Sequence, residues 1–207
     1  MAEKYVDIDT LKYLLYDIHN LEDLLVRDRF QDHDKESLDM FIDSVKEFAD
    51  RELFPYVKEM DENPAYHKDG KVFVHDQVKT MMYKGGEMGL ISAPFNYEDG
   101  GMQIPFLSHT AATYILDAAN NHLPGYAGLT QGAAELIIHF ANKELNQTYV
   151  PNMLSGQWGG TMCLTEPQAG SSLSDIVTKA TPTQDGYYKL TGQKIFISGG
   201  DIILLKM

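Results

Sequence analysis

Two stretches near the end of the sequence place hydroxyl, glycine and aromatic residues at spacings that could form a ligand site. The first is TMCLTEPQAGSS, residues 161 to 172, and the second is LTGQKIFISGG, residues 190 to 200. Proline stiffens a turn, glycine lets the backbone approach a ligand closely, and hydroxyl groups donate hydrogen bonds. Either stretch alone is more typical of a surface turn than of a cofactor loop. The pair is far more informative than either half.

Other candidate chemistries are weaker. The single cysteine, Cys163, excludes an internal disulfide framework, and without an indicated His or Asp partner it is interpreted as a packed strand residue rather than a nucleophile. Gly85-Gly86 with Gly89 follows a helical pattern rather than a strand, which predicts a helix terminus and not a phosphate loop. The histidines show no spacing typical of metal ligands, so no metal site is predicted.

The two stretches together resemble the signature of acyl-CoA dehydrogenases. In that family a strand ends in Thr-Glu-Pro, a turn contains Ala-Gly-Ser, and a hairpin follows with Gly-x-Lys and an aromatic-Ile-Ser/Thr segment. Three upstream segments resemble the family in the same order: EFADRELFPYVKEMDEN (47 to 63), GEMGLISAPFNYEDGG (86 to 101) and NQTYVPNMLSGQWGG (146 to 160). The resemblance covers most of residues 38 to 200.

The resemblance implies a flavoprotein oxidoreductase of fatty acid metabolism. An acyl-CoA substrate would lose a proton from its α carbon to a carboxylate base and a hydride from its β carbon to N5 of FAD, and electrons would pass to an electron-transfer flavoprotein. It also implies a homo-oligomer for the full-length enzyme. The cofactor-binding residues that it implies are Met162, Cys163, Leu164, Thr165, Gly170, Ser171, Phe196, Ile197 and Ser198.

The resemblance also assigns roles to these residues. The Thr165 hydroxyl would donate near N5 and O4 of the flavin, beside backbone groups of Cys163 and Leu164, and would stabilise the charge that hydride arrival places on the ring. Phe196 would pack against the ring. Gly170 would let the backbone approach a pyrophosphate or CoA, and Ser171 would offer a hydroxyl to the substrate.

Four positions depart from the usual family pattern. Phe196 stands where tryptophan is common and Ser198 where threonine is common, and both keep the physical property that the site needs. Met162 replaces a frequent aromatic residue, and Ser172 replaces a frequent aspartate. These two changes concern the substrate and phosphate contacts rather than flavin binding.

The end of the chain predicts a truncated reading frame. The resemblance places the catalytic base in a C-terminal domain, and no carboxylate in this sequence falls in a matching motif, so no catalytic residue is predicted. After Asp201 the extended family members continue with a polar stretch, whereas this chain reads IILLKM. Codons for Asp-Ile-Thr-Glu-Asn-Val, read one base late, encode Ile-Leu-Leu-Lys-Met and a stop. We therefore expect no dehydrogenase activity from this product, and FAD binding too weak for copurification.

The sequence pattern predicts an α+β fold, with a helical domain followed by the first strands of an incomplete β-barrel-like domain. Apolar residues recur at helical spacing and predict a first helix: Leu11, Leu14, Leu15, Ile18, Leu21, Leu24 and Leu25. A second helical stripe follows a potential cap at Asp34: Leu38, Phe41, Ile42, Val45 and Phe48. Asn63-Pro64 and Asp69-Gly70 are turn signals. Further helices are expected over 75–88, 106–120, 125–141 and 143–154, and strands near 161–165, 187–190 and 194–198. The expected divisions are an extension (1–37), a helical domain (38–156) and a β domain (157–207).

Composition narrows the function classes. The formal net charge is −13, and residues 1 to 63 hold 18 acidic and 8 basic side chains. A surface of this sign repels nucleic acid and anionic membranes, so neither is an expected partner. No apolar run approaches the length of a membrane span and the first residues lack a signal peptide pattern, which predicts a cytoplasmic protein. The alternative function is a non-catalytic helical interaction module, or a degenerate fragment, that binds a partner through the acidic helices.

Overall fold

The computed structural model describes residues 5–201, whose contacts separate them into a helical unit that extends to Gly160 and a smaller unit of Thr161–Gly200. The predicted α+β fold is confirmed. The helical unit contains α1 (Ile8–Tyr13), α2 (Glu22–Leu25), α3 (Lys35–Phe48), α4 (Val57–Glu62), β1 (Tyr66–Lys68), β2 (Lys71–Phe73), α5 (Gln77–Glu87), α6 (Phe106–Asn120), α7 (Pro124–Phe140) and α8 (Lys143–Leu154). The smaller unit contains the strands β3 (Lys179–Pro182) and β4 (Tyr188–Thr191).

The N-terminal extension packs into the same core as the helices that follow it. Leu11, Leu15 and Leu21 are buried, whereas Leu14 and Ile18 of the predicted stripe are exposed. The expected continuous helix is wrong, because a π-helical turn follows α1 and the chain then breaks at Asn20, whose φ is 49°. These three buried leucines therefore cover an apolar face of the core despite the break in the helix.

Helix α3 begins as the sequence predicts. The Asp34 side chain accepts a hydrogen bond from the Ser37 amide, and the Ser37 hydroxyl is paired in return with the Asp34 amide, which completes a capping box. The five apolar residues of the predicted stripe are all buried: Leu38, Phe41, Ile42, Val45 and Phe48. Pro55 starts a new 3₁₀ turn, Phe54–Tyr56, after a π-helical stretch, Ala49–Leu53. Proline suits this position because it has no amide hydrogen to leave unpaired.

Part of the acidic charge of the first helices is neutralised within the helical unit. Lys12 of α1 lies 2.8 Å from Asp43 and 3.8 Å from Asp39 on α3. Lys35 also contacts Asp39, at 2.9 Å. Lys12 thus links the extension to α3, and both lysines reduce the charge that the helices present to solvent.

A second link joins the extension to the loop between α5 and α6. The Arg29 guanidinium donates to the Asn96 side chain, and Gln103 Nε2 donates to the Arg29 carbonyl at 3.0 Å. His33 Nε2 lies 2.9 Å from the Met102 carbonyl. Gln103 has a left-handed backbone, with φ of 50°. The extension thus holds a loop that contains an uncommon backbone conformation.

The hairpin of β1 and β2 lies where the sequence indicated only turns. Its strands pair from Tyr66 with Phe73 to Lys68 with Lys71, around the predicted turn Asp69-Gly70. The Tyr66 and Phe73 rings stack with their centroids 5.1 Å apart. Cross-strand aromatic pairs of this kind stabilise short hairpins.

Helix α5 ends as predicted for a helix terminus. Its last residue is Glu87, and Gly89 takes the left-handed conformation, with φ of +77°. Gly86 has a different reason to be glycine, because a Cβ built there would lie 2.2 Å from the Ser155 carbonyl oxygen. This glycine allows α5 to approach the end of α8.

The last three helices follow the predicted bounds within one residue. The predictions 106–120, 125–141 and 143–154 correspond to α6, α7 and α8. Asn142 caps α8 by accepting from the Leu145 amide at 2.9 Å. Among residues 5–201, no helix is long and apolar enough to cross a membrane.

The smaller unit departs from the expected strands. Strand β4 lies in the predicted β-rich stretch, and it pairs with β3 from Thr191 with Lys179 to Tyr188 with Pro182. The predicted strands at 161–165 and 194–198 are wrong, because neither segment forms a ladder. The tail Ile202–Met207, on which the expected frameshift rests, lies outside the described residues.

Candidate functional site

The two sequence motifs lie next to each other in the smaller unit. The Ile195 amide donates to the Thr165 carbonyl at 3.0 Å, and Lys194 Nζ donates to the Leu164 carbonyl at 2.9 Å. Farther along, the Thr161 hydroxyl donates to the Ser198 carbonyl. Thr161 therefore pairs with Ser198 and Thr165 pairs with Ile195, so the two segments run in opposite directions.

The side chains predicted to contact a cofactor are largely open to solvent. Phe196 is 86% exposed, Met162 is 56% exposed and Leu164 is 40% exposed. Cys163 is also exposed, so the interpretation of this cysteine as a packed strand residue is wrong. Thr165 is half-buried. The adjacent motifs therefore present apolar side chains that the smaller unit does not itself cover.

The remaining predicted residues share this exposure. Gly170, Ser171 and Ser198 are exposed, and Ile197 is half-buried. Ser171 follows the turn closed by Glu166 and Ala169, whose amides and carbonyls are paired at 2.9 and 3.1 Å. Ser171 is therefore accessible from solvent directly after this turn.

Phe196 has an uncommon backbone conformation. Its φ is 58°, in the left-handed region that bulky residues rarely adopt. For a residue with a Cβ this conformation costs about 1 kcal/mol or somewhat more. The segment therefore holds an exposed aromatic ring on a strained backbone, a combination that is concentrated at ligand-binding positions.

Gly170 supports the fit of these residues to a flavin nucleotide. A Cβ built at Gly170 would meet no atom within 4 Å. No contact within the chain therefore requires glycine there, and the backbone at this position is open to a ligand. The exposed residues of the two motifs include hydroxyl-bearing side chains, an aromatic ring and a glycine, and these are compatible with contact to a flavin nucleotide.

Glu166 is a buried polar residue that the sequence analysis did not single out. Its side chain is fully buried and lies 2.8 Å from Lys194 Nζ. The hydrogen bond from Lys194, with further bonds from Thr178 and Val177, holds the pKa of this carboxyl far below its usual range. The available signal was the presence of opposite charges in the two motifs, one in Thr-Glu-Pro and the other in Gly-Gln-Lys.

No cluster suited to a metal ion occurs in the described part of the chain. Among residues 5–201, no three or more His, Cys, Asp or Glu side chains are grouped closely enough to coordinate one. The polar groups of the site are hydroxyls, backbone groups and one ion pair, which suit an organic ligand.

Comparisons with known proteins identify similar chains. Butyryl-CoA dehydrogenase of Syntrophomonas wolfei subsp. wolfei is 31% identical over 196 residues, which are 92% of this chain and 32% of that protein. 3-Methylmercaptopropionyl-CoA dehydrogenase of Ruegeria pomeroyi is 36% identical over 134 residues, 65% of this chain and 23% of that protein. The chain thus spans less than two thirds of the length of these relatives.

A solved structure shows the same fold. The crystal structure of acyl-CoA dehydrogenase complexed with FAD from Bacillus anthracis gives a TM-score of 0.64 at 23% identity, covering 83% of this chain and 28% of that chain. The family model of the acyl-CoA dehydrogenase N-terminal domain matches residues 35–157, more than half of the sequence. Helices α3 to α8 lie within that match. The chain belongs to the acyl-CoA dehydrogenase family.

Proposed function

We propose that this chain forms the N-terminal part of an FAD-dependent acyl-CoA dehydrogenase, and that the paired motifs of residues 161–172 and 190–200 supply part of its flavin site. The observation that carries the proposal is the direct hydrogen bonding between the two motifs, which places Thr165 beside Ile195. Residues 1–37 are proposed as an extension, 38–156 as the helical domain and 157–207 as the start of the β domain.

The side chains of the motifs have distinct proposed roles. When bound, FAD would supply the acceptor for a hydride from the β carbon of an acyl-CoA. The Thr165 hydroxyl would hydrogen-bond to the polar edge of the ring, and the exposed Phe196 ring would cover part of its face. Gly170 would permit close approach of the backbone, and Ser171 would orient the substrate.

The complete reaction needs groups beyond these motifs. The resemblance assigns the carboxylate base to a C-terminal domain, and the relatives are much longer than the 207 residues of this chain. We propose that these residues alone have no dehydrogenase activity. For the whole enzyme, we propose an electron-transfer flavoprotein as the electron acceptor. We also propose that the enzyme is a homo-oligomer and that it is located in the cytoplasm.

Titration of the chain with FAD tests the flavin site. Flavin fluorescence is followed up to millimolar FAD for the wild type, Thr165→Val and Phe196→Ala. The wild type should bind saturably, and each variant should bind roughly tenfold more weakly, a change of about 1.4 kcal/mol. Tyr187→Ala is the matched control, because Tyr187 is an exposed aromatic residue of the same unit outside the motifs. Equal affinity in all four proteins would contradict the proposal.

A further inference from the structure

The Glu166 carboxylate is completely enclosed by donors from three separate parts of the chain. Oε1 accepts from Lys194 Nζ at 2.8 Å and from the Thr178 amide at 3.0 Å. Oε2 accepts from Gln168 Nε2 at 2.7 Å and from the Val177 amide at 2.9 Å. A buried carboxylate is tolerated when its lone pairs are filled in this way. Glu166 is therefore fixed in place.

Lys194 transmits this fixed position to the neighbouring motif. An ammonium group has three donors, and Lys194 Nζ uses one on Glu166 and another on the Leu164 carbonyl, 2.9 Å away. The next residue, Ile195, donates its amide to the Thr165 carbonyl. Two consecutive carbonyls, those of Leu164 and Thr165, are thus anchored by two consecutive residues.

We infer that Glu166 and Lys194 are positioning residues that set the backbone of Leu164 and Thr165 for contact with the flavin. The inference rests on the proposed flavin site. The flexible lysine chain would otherwise leave its ammonium group in solvent, and the four-donor carboxylate holds it against Leu164 instead. Charge-assisted hydrogen bonds are short and directional, which suits them to fix a backbone position.

A stabilising role for the pair can be separated from a positioning role. Replacing a buried ion pair with apolar side chains of similar size is often neutral or stabilising, so such a replacement tests the position of the backbone apart from stability. The apolar replacement removes the donor to the Leu164 carbonyl, however. A purely stabilising pair therefore predicts unchanged FAD affinity in the double variant, whereas a positioning pair predicts weaker FAD binding.

The test compares Lys194→Met, Lys194→Arg and the double variant Glu166→Leu/Lys194→Met with the wild type. FAD affinity is measured by fluorescence titration, amide hydrogen exchange at Ile195 by NMR without FAD, and folding by circular dichroism. Lys194→Met and the double variant should bind FAD about tenfold more weakly and exchange the Ile195 amide at least about tenfold faster. Lys194→Arg keeps both donors and should stay within about threefold of the wild type. Lys189→Met, an exposed lysine of β4, is the matched control.

The outcomes separate this inference from the proposed function. If the wild type shows no saturable FAD binding, both fail. If the wild type binds FAD and the folded variants bind equally well, only the positioning role is overturned. If the double variant does not fold, Lys194→Met and Lys194→Arg decide the question. Weaker FAD binding by Lys194→Met together with near wild-type binding by Lys194→Arg supports the inference. Equally weak FAD binding by both variants counts against it.

Discussion

The side-chain amide of Asn120 donates to the backbone carbonyl of Leu53 at 3.1 Å, inside the core. This bond joins the end of α6 to the π-helical stretch before Pro55. Asn120 and Leu53 are both fully buried, so the carbonyl of Leu53 depends on this donor rather than on solvent. The pair shows how the core satisfies a carbonyl at a place where the helix changes its hydrogen-bonding pattern.

Replacing Asn120 should destabilise the helical unit. In Asn120→Leu the Leu53 carbonyl loses its donor, and a buried unpaired carbonyl costs about 1–3 kcal/mol. Urea unfolding followed by circular dichroism measures the change. Asn121→Leu is the control, since Asn121 is exposed one position later. Equal unfolding midpoints for the two variants would show that the buried bond contributes nothing.

Two helical glycines should respond in opposite ways to alanine. Gly86→Ala places a methyl group against the Ser155 carbonyl, and a contact of this kind costs about 1–3 kcal/mol. A Cβ at Gly132 of α7 meets nothing within 4 Å. Gly132→Ala should therefore raise stability by roughly 0.5–1 kcal/mol through better helix propensity. Thermal unfolding compares the two, and a gain in stability for Gly86→Ala would contradict the close approach of α5 to α8.

Glu52 should make stability depend on acid pH. Lys84 Nζ donates to Glu52 at 2.8 Å, and this hydrogen bond, with a smaller contribution from Arg51, holds the pKa of Glu52 below its ordinary 4.5. A lowered pKa in the folded state means that the group stabilises the fold above the unfolded pKa. That contribution is lost as the pH falls through the folded pKa.

The measurement compares urea midpoints at pH 7 and pH 3 for the wild type and Glu52→Gln. The variant should lose less stability on acidification than the wild type does. Glu36→Gln removes the same charge from an exposed position of α3 and serves as the control. A pH dependence of Glu52→Gln that equals that of the wild type would exclude this role for the ion pair.

Arg29 should protect the loop between α5 and α6. Arg29→Ala removes the contact with Asn96, and the amides of Gly101 and Gln103, which donate to Asn96 and Phe95 carbonyls, should exchange faster by about tenfold. Hydrogen exchange read by NMR resolves these two amides. Arg27→Ala, at an exposed position two residues earlier, should leave them unchanged. Unchanged exchange in Arg29→Ala would show that the loop holds its own conformation.

The helices could be predicted from the sequence because their signals are local. Asp34 precedes a five-residue apolar stripe, so the cap and the period together identify the start of α3. The hairpin of β1 and β2 lacked such a signal. Its strands are three residues long and carry lysine and histidine, so alternation could not be recognised.

The site was only partly predictable for a physical reason. The segments at 161–165 and 194–198 contain strand-forming residues, but a strand also needs partners along its length, and the backbone bond from Ile195 to Thr165 is not enough for a ladder. Glu166 and Lys194 are 28 residues apart. Single-residue propensity cannot indicate that two such charges meet in a buried pair.

The burial of Leu11, Leu15 and Leu21 separates two boundaries that are often treated as one. The family match begins at residue 35, whereas these leucines belong to the same apolar core as α3. A chain shortened to the matched residues would expose the surface that they cover and lose the Lys12 pairs with Asp39 and Asp43. The start of the family match and the start of the packed core are therefore different places in this protein.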